Sequence, residues 1–235
     1  MMIIFFKNLI NRHGFYAIFL LPFFVFNVCD ARVISPPELN AQRVIVKDKK
    51  AHLTIKNKSE NAWLIQSWIE DLDEKKQKKM VFPEFARVEA FSSFNLTISP
   101  LEFKDDNAEN MHWLTVRMIP ELDDKETTNF VIPVNYKLKI FHRPDALSKT
   151  GRKPSDLEWE MKNGVLFVKN KSGFYYSFSE LHFSRYKLTP PAKEVLPPYG
   201  ETRFHIPDKA GYLLSYTFTN DFGDEQKIIM EEQQA

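Results

Sequence analysis

The chain has 235 residues, of which 43 % are hydrophobic and 27 % are charged, and its formal net charge is +1. This composition supplies enough apolar residues for a packed core and excludes disorder along the whole chain. The near-neutral charge also excludes the strongly basic surface that is typical of nucleic-acid-binding proteins. The length fits one large domain or two domains of about 100 residues each.

The first 31 residues have the pattern of a signal peptide. Lys7 and Arg12 precede the uncharged run Phe15–Val28, and a basic segment followed by a short apolar segment is typical of secretion signals. The run is shorter than the about 20 apolar residues that a transmembrane helix needs, although an uncleaved N-terminal anchor is the alternative. Cleavage is predicted after Ala31. It would remove Cys29, the only cysteine, so we expect no disulfide in the mature chain.

Short runs that alternate apolar and polar residues fill the first half of the remaining chain. Such runs, rich in β-branched and aromatic residues, predict β-strands. We predict strands at residues 43–46, 51–57, 62–70, 93–98, 113–119 and 130–141. Six or seven short strands within about 115 residues favour a β-sandwich.

A second set of strands follows a polar stretch. Residues 147–156 read as a linker between two domains, which we place at residues 32–146 and 157–235. In the second domain we predict strands at residues 157–161, 165–170, 175–183, 202–206 and 212–220. Both halves therefore favour an all-β fold.

The sequence offers no recognisable catalytic or metal-binding motif. The six histidines are scattered without the close spacing of a metal-ligand pair, and the mature chain has no cysteine for a zinc site. A nucleophile elbow, a P-loop and a dinucleotide-binding glycine motif are all missing. We therefore predict a binding protein without catalytic residues, metal or cofactor. A secreted hydrolase and an extracellular adhesion or receptor module are the alternatives; the latter predicts an aromatic-rich recognition loop.

Several segments together resemble one known family. Residues 113–120 and 136–144 resemble the paired signature of periplasmic pilus-assembly chaperones of the PapD-like family. Residues 41–45 and 64–70 are similar to that family's first strands, and residues 215–223 resemble the closing hairpin of its second domain. The similarity spans nearly the whole mature chain, and the order and spacing of the segments make it specific.

The resemblance implies a fold and a function. We expect two immunoglobulin-like β-sandwich domains in an L shape, preceded by the signal peptide, in a periplasmic protein. It would bind pilin subunits and hand them to an outer-membrane usher, without a cofactor and without stable insertion into the membrane. The short stretch between Pro120 and Phe130 resembles the short-loop branch of the family.

The family lends a strand to a pilin groove that lacks its last strand, which is a form of β-strand addition. On this sequence the donor strand carries Phe130, Ile132 and Val134, which alternation places on one face. The spacing alone also fits the alternative that these residues fill the protein's own core. Pro133 would sit inside the strand and weaken one rung of the pairing.

The resemblance also assigns charged residues. Arg43 and Lys139 match the cations that anchor the C-terminal carboxylate of the subunit, and Glu109, Arg143 and Asp221 match an interdomain ion-pair network. We expect Arg43 and Lys139 to lie within reach of one carboxylate, with their charged ends accessible to solvent. Without the resemblance, each of them would be interpreted as an ordinary surface charge.

Overall fold

Alternating strands separated by polar turns build both halves of the chain. The structure is a computed structural model, and it describes residues 35–47, 49–77, 80–100, 107–121 and 132–230. The predicted signal peptide and Phe130 lie outside the described residues. Among the residues that are described, no helix has the length and apolar character needed to cross a membrane.

The described part of the first half forms ten strands. They are β1 Glu38–Leu39, β2 Arg43–Val46, β3 Ala51–Lys56, β4 Trp63–Glu70, β5 Lys76–Gln77, β6 Val81–Phe82, β7 Phe85–Val88, β8 Ser93–Ile98, β9 Asn110–Pro120 and β10 Val134–His142. One sheet has the order β1-β3-β8-β6, and the other has the order β2-β10-β9-β4-β5, with β7 also paired to β4. These two sheets form the first sandwich.

Period-two alternation explains how the first sandwich closes. In β8, Leu96 and Ile98 are buried while the residues between and before them are partly or fully exposed. The inward residues of both sheets form one core, which includes Trp63, Leu114 and Ile140. The strand predicted at residues 93–98 coincides with β8.

The described part of the second half contains one short helix, α1, a short 3-10 helix and seven strands. They are α1 Asp145–Ser148, the 3-10 helix Pro154–Asp156, β11 Leu157–Lys162, β12 Val165–Asn170, β13 Phe178–Phe183, β14 Lys187–Leu188, β15 Glu201–His205, β16 Leu213–Thr219 and β17 Glu225–Ile229. The sheets have the orders β11-β12-β15 and β14-β13-β16-β17, and they form the second sandwich around a separate core rich in aromatic residues. The all-β prediction is confirmed.

Strand β10 positions most of the site. It pairs antiparallel with β9 along its whole length, but it pairs parallel with β2 only from Lys139 to His142. Tyr136, Leu138 and Ile140 face the core of the first sandwich, so alternation sends Lys139 and Phe141 to the opposite face. There Phe141 packs with Met111 and with Tyr175 of the second half. The second half therefore covers the outer face of β10 at its end.

Candidate functional site

Arg143 lies at the centre of a buried ion-pair network that joins the two sandwiches. Its backbone N–H donates to the carbonyl of Val46 at 2.8 Å, which holds the residue after β10 beside β2. Its Nε donates to Glu109 Oε1 at 2.6 Å, and its Nη2 donates to Asp221 Oδ1 at 2.8 Å. The side chains of Arg143 and Glu109 are 6 % and 0 % exposed. The structure thus brings Glu109, Arg143 and Asp221 into direct contact.

The position of Glu109 depends on a close approach at Gly173. The N–H of Glu109 donates to the Gly173 carbonyl at 2.8 Å, and Glu109 Oε2 accepts from the Tyr175 N–H at 2.8 Å. A Cβ atom on Gly173 would lie 1.9 Å from the Asn107 carbonyl oxygen and 2.9 Å from a methyl carbon of Leu147. Any larger residue at this position would push the backbone of the second sandwich away from Glu109.

Arg152 is a fourth member of the network, and the sequence analysis missed it. Its Nη1 lies 2.5 Å from Asp221 Oδ1, and its Nη2 lies 3.7 Å from Glu109 Oε2. Its Nε donates to the Tyr175 carbonyl at 3.1 Å. The side chain is only 7 % exposed, although its polar surroundings in the sequence predict a solvated linker. Only the fold reveals this burial, because no local sequence signal distinguishes Arg152 from a surface arginine.

The four charged residues Glu109, Arg143, Arg152 and Asp221, called here the network, balance one another. Burial by itself raises the pKa of Asp221, but the hydrogen bonds from Arg143 and the charge of Arg152 hold that pKa far below its usual range. Burial likewise lowers the pKa of Arg143, yet its hydrogen bond to Asp221 and the charge of Glu109 raise the pKa above its ordinary value. Arg143 and Asp221 therefore stay ionised together.

Arg43 and Lys139, called here the anchor pair, face each other across the parallel strands β2 and β10. Arg43 Nη1 donates to the Thr219 carbonyl at 2.9 Å, and Lys139 Nζ donates to Ser177 Oγ at 3.0 Å. Both partners are uncharged and belong to the second half of the chain. Among the residues that the structure describes, neither cation of the anchor pair has a carboxylate partner.

The expected accessibility of the anchor pair is wrong for Arg43. Arg43 is 7 % exposed, because the end of β16 closes over it, while Lys139 is partly buried. Burial, together with the charge of Arg152, lowers the pKa of Arg43 to about 10. Burial, together with the charge of Arg43, lowers the pKa of Lys139 to about 8.

Two aromatic rings compensate part of the lost hydration of the anchor pair. The Phe141 ring centre lies 5.2 Å from the guanidinium carbon of Arg43, and the Trp113 ring centre lies 5.8 Å from Lys139 Nζ. A ring face attracts a cation but carries no net charge. These contacts therefore hold the two side chains in place and leave their positive charge uncompensated.

A cleft of about 760 Å³ opens over the anchor pair and is lined by both sandwiches. Lys137 also lines it, but its Nζ lies 3.5 Å from Glu70 Oε2 and 3.4 Å from Glu74 Oε1. Asp73 on the rim lies 3.6 Å from Lys75. The carboxylates of the rim are thus already paired with lysines, so the cleft offers the anchor pair to an anion from outside.

The predicted donor strand is only partly described. Phe130 lies outside the described residues, Ile132 is 67 % exposed, and the partly buried Val134 begins β10. Pro133 lies just before the strand, not inside it as predicted, because proline has no N–H for a ladder bond. On the side that β2 occupies further along, Val134–Leu138 has no strand neighbour within the described ranges. As far as the structure describes the chain, an uncovered backbone edge therefore leads directly to the anchor pair.

Two histidines that the sequence analysis treats as scattered lie side by side in the first sandwich. The ring centres of His112 and His142 are 5.3 Å apart in an edge-to-face arrangement. In the described part of the chain, His112 Nδ1 and both ring nitrogens of His142 are buried without a hydrogen-bond partner. Burial, and then the neighbouring His112, lowers the pKa of His142 to about 3. No group of three or more potential metal ligands is found among the described residues.

Comparisons with known proteins agree on one family. The model of the PapD N-terminal domain of pili and flagellar-assembly chaperones matches residues 38–148, and the model of the PapD C-terminal domain matches residues 152–229. Chaperone protein FimC of Escherichia coli is 25 % identical over 209 residues, which cover 85 % of this chain and 86 % of the relative. Chaperone protein FocC of Escherichia coli is 28 % identical over 198 residues, covering 79 % and 85 %.

Solved structures show the same fold. The Escherichia coli chaperone DraB superimposes with a TM-score of 0.70 and 25 % identity, covering 85 % of this chain and 98 % of DraB. A chain from the Salmonella enterica complex of SafA pilin with the SafB chaperone gives a TM-score of 0.71 at 22 % identity, with the same coverage.

Proposed function

Since the chain belongs to the PapD-like family of pili assembly chaperones, we propose that it binds pilin subunits in the periplasm and delivers them to an outer-membrane usher. It is a binding protein and catalyses no reaction. The relatives FimC and FocC are chaperones, and the SafB chaperone was solved together with a pilin.

One observation carries the proposal: within the described residues, the anchor pair has no carboxylate partner and stands at the end of a strand edge that no other strand covers. A buried cation without a counter-charge is costly unless a partner supplies that charge. The C-terminal carboxylate of a subunit supplies it and accepts charge-assisted hydrogen bonds from Arg43 and Lys139. The chemistry of the site thus matches a chain terminus better than an internal peptide segment.

The direction of the bound strand follows from the register of β2 and β10. Arg43 of β2 lies opposite Lys139, and β2 continues parallel to β10 from that point. A subunit strand that ends at the anchor pair therefore runs beside Val134–Leu138, parallel to β10. With its carboxylate fixed, its register is fixed as well. Burying Ile132 and Val134 against the subunit adds roughly 1.5–3 kcal/mol for each side chain that becomes fully buried.

The adhesion-module alternative has weaker support. It places recognition in aromatic-rich loops, whereas the uncompensated charge here lies in a cleft between two sandwiches. A loop-based receptor has no use for two desolvated cations at that position. The cleft therefore favours a partner that brings its own carboxylate.

Replacement of Lys139 tests the proposal. The Lys139→Ala protein should fold, because Lys139 forms no ion pair with any residue that the structure describes, but it should no longer retain a pilin subunit. The subunit and the chaperone variant are co-expressed in the host, and the complex is recovered from the periplasm by affinity purification. Lys56→Ala on β3 is the matched control, since Lys56 is an exposed strand lysine on the other sheet.

Two results support or reject the proposal. Loss of the subunit from Lys139→Ala, with normal recovery from Lys56→Ala and unchanged thermal unfolding of both proteins, supports it. Full recovery of the subunit with Lys139→Ala rejects the carboxylate anchor, and the proposed strand addition then loses its fixed register.

A further inference from the structure

Arg152 reaches the carboxylates of the network from a part of the chain that has no strand. It lies between α1 and the 3-10 helix, and its guanidinium stacks on two rings, with its Cζ 5.2 Å from the centre of Phe174 and 5.7 Å from the centre of Tyr176. Its Nη1 contacts Asp221 at 2.5 Å. The rings and the backbone carbonyl of Tyr175 fix this side chain, so its charge has one defined position.

The cations around the interface outnumber the carboxylates. Arg43, Lys139, Arg143 and Arg152 supply four positive charges, whereas Glu109 and Asp221 supply two negative charges. The surplus remains on the anchor pair because Arg143 donates to both oxygens of Asp221 and Arg152 adds a second hydrogen bond to Oδ1. Which cations lack a carboxylate partner therefore depends on where the two carboxylates lie, and not only on the net charge of the interface.

Asp221 is the carboxylate best placed to interfere with the anchor pair. It lies two residues beyond Thr219, whose carbonyl accepts from Arg43, and its side chain is 33 % exposed. The positive charge of Arg152 lowers the pKa of Arg43, whereas the negative charge of Asp221 raises it. Without Arg152, Asp221 Oδ1 would keep only its hydrogen bond from Arg143, and the negative charge of Asp221 would act more strongly on Arg43.

We infer that Arg152 is a positioning residue for subunit binding: by holding Asp221 it leaves Arg43 free for the carboxylate of a partner. This inference rests on the proposed function. It differs from a purely structural role, because a residue that only ties the linker to the sandwiches affects stability but not the preference for a carboxylate.

The test measures the carboxylate preference of the binding cleft. The probes are a synthetic peptide of alternating valine and threonine with a free C-terminal carboxylate and the same peptide with a C-terminal amide. The preference is the Kd of the amide divided by the Kd of the acid, measured by calorimetry at low salt. Because both peptides share every other contact, this ratio reports the anchor pair alone.

The charge at position 152 should control the preference of the cleft for the carboxylate-terminated peptide over the amide. We expect Arg152→Gln to lower the preference by roughly three- to tenfold, as one charge at short range across a partly buried site can do. Arg152→Lys should restore most of it, because the charge is kept. The control Tyr176→Phe removes the hydrogen bond from Tyr176 Oη to Asp156 Oδ2 at 3.0 Å in the same segment, and it should leave the preference unchanged.

Asp221→Asn keeps the inference testable even if Arg152→Gln does not fold. Neutralising Asp221 removes the competing charge, so the preference should stay at or above the wild-type value, and Arg152→Gln/Asp221→Asn should recover it. A lower preference for Asp221→Asn, or a double variant whose preference stays as low as that of Arg152→Gln, overturns the inference, because the loss then does not come from the charge of Asp221.

Failure of the inference and failure of the proposed function look different. A wild-type preference near one rejects the carboxylate anchor and, with it, the role of Arg152. A large wild-type preference that Arg152→Gln leaves unchanged rejects only the role of Arg152. A large wild-type preference that falls in Arg152→Gln and returns in Arg152→Lys supports both.

Discussion

The network and the anchor pair are two groups of charged side chains at the same end of β10, and they differ in whether their cations have carboxylate partners within the described residues. Arg143 directly follows β10 and meets two carboxylates of its own chain. Lys139 lies four residues earlier and, among the described residues, contacts the hydroxyl of Ser177 and the ring of Trp113 but no carboxylate. Both regions are removed from water by the second sandwich, so burial does not explain the difference.

The presence or absence of a carboxylate partner distinguishes a cation that stabilises the fold from a cation that is available to bind a ligand. A buried cation with an internal carboxylate stabilises the arrangement of the elements that carry the pair, and removal of one partner is costly. A buried cation without such a partner carries an unfavourable desolvation that a ligand can relieve. Substitutions in the network should therefore change stability first, whereas substitutions in the anchor pair should change binding first.

The largest effect is expected from the loss of Glu109. In Glu109→Ala, Arg143 Nε and the Tyr175 N–H lose their acceptors in a fully buried position. Breaking a buried pair in this way costs about 3–5 kcal/mol. Urea unfolding of the purified protein measures the change in the free energy of unfolding.

A surface pair supplies the control for this experiment. Glu158 contacts Lys171, and both side chains are 51 % exposed, so Glu158→Ala should lower the free energy of unfolding far less than Glu109→Ala does. If Glu109→Ala is as stable as Glu158→Ala, the network contributes no more than a surface ion pair, and the contrast with the anchor pair disappears.

Local alternation predicted most of the fold. The strands predicted at residues 93–98 and 165–170 coincide with β8 and β12, because both runs bury every second residue. Strand β17 was missed, since three of its five residues, Glu225–Lys227, are polar and exposed at a sheet edge. Strand propensity mainly reflects side chains that pack on a half-buried sheet face. An exposed edge strand has few such side chains, so its sequence gives only a weak strand signal.

The site depends on contacts that local patterns do not encode. Arg43 meets Lys139 only because β2 pairs parallel with β10 across a long sequence separation, so these residues came from a family resemblance and not from spacing. Arg152 had no matching motif and was assigned to a polar linker. His112 and His142 became neighbours through the register of β9 and β10, which their spacing in the sequence does not reveal.

His142, which also lies on β10, extends the comparison to a buried group that is neutral. His142 is fully buried, and burial lowers its pKa from the ordinary 6.5 to about 3. Between these two pKa values the unfolded state binds a proton on His142 and the folded state does not. The free energy of unfolding is therefore highest above pH 6.5 and falls as the pH decreases toward about 3. Each pH unit within this window costs up to about 1.4 kcal/mol.

A replacement of similar size isolates this effect. His142→Leu should lose about 2 kcal/mol less than the wild type when the pH is lowered two units below 6.5, as urea unfolding at both pH values would show. That range stays above the ordinary pKa of 3.8 for Asp221, so the titration of Asp221 contributes little. Equal losses in both proteins would mean that His142 is not the group that makes the fold sensitive to acid.

The smallest effect concerns the anchor pair itself, and here pH should move stability and binding in opposite directions. Burial lowers the pKa of Lys139 from 10.5 to about 8 in the free protein. Between these two values the unfolded state holds more protons, so the stability of the free protein should rise with pH. Carboxylate binding needs the charged lysine, so affinity should fall through the same window, about tenfold at one pH unit above the free pKa.

Lys139→Arg separates these two effects from other titrations. An arginine at this position keeps its charge throughout the window, so the affinity for the carboxylate-terminated peptide should become independent of pH between about 7 and 9. Calorimetry at several pH values measures the affinity, and urea unfolding without peptide measures the stability. If the affinity of Lys139→Arg depends on pH as that of the wild type does, a different group titrates in this window. Lys139 would then not be the cation whose charge binds the carboxylate of the partner.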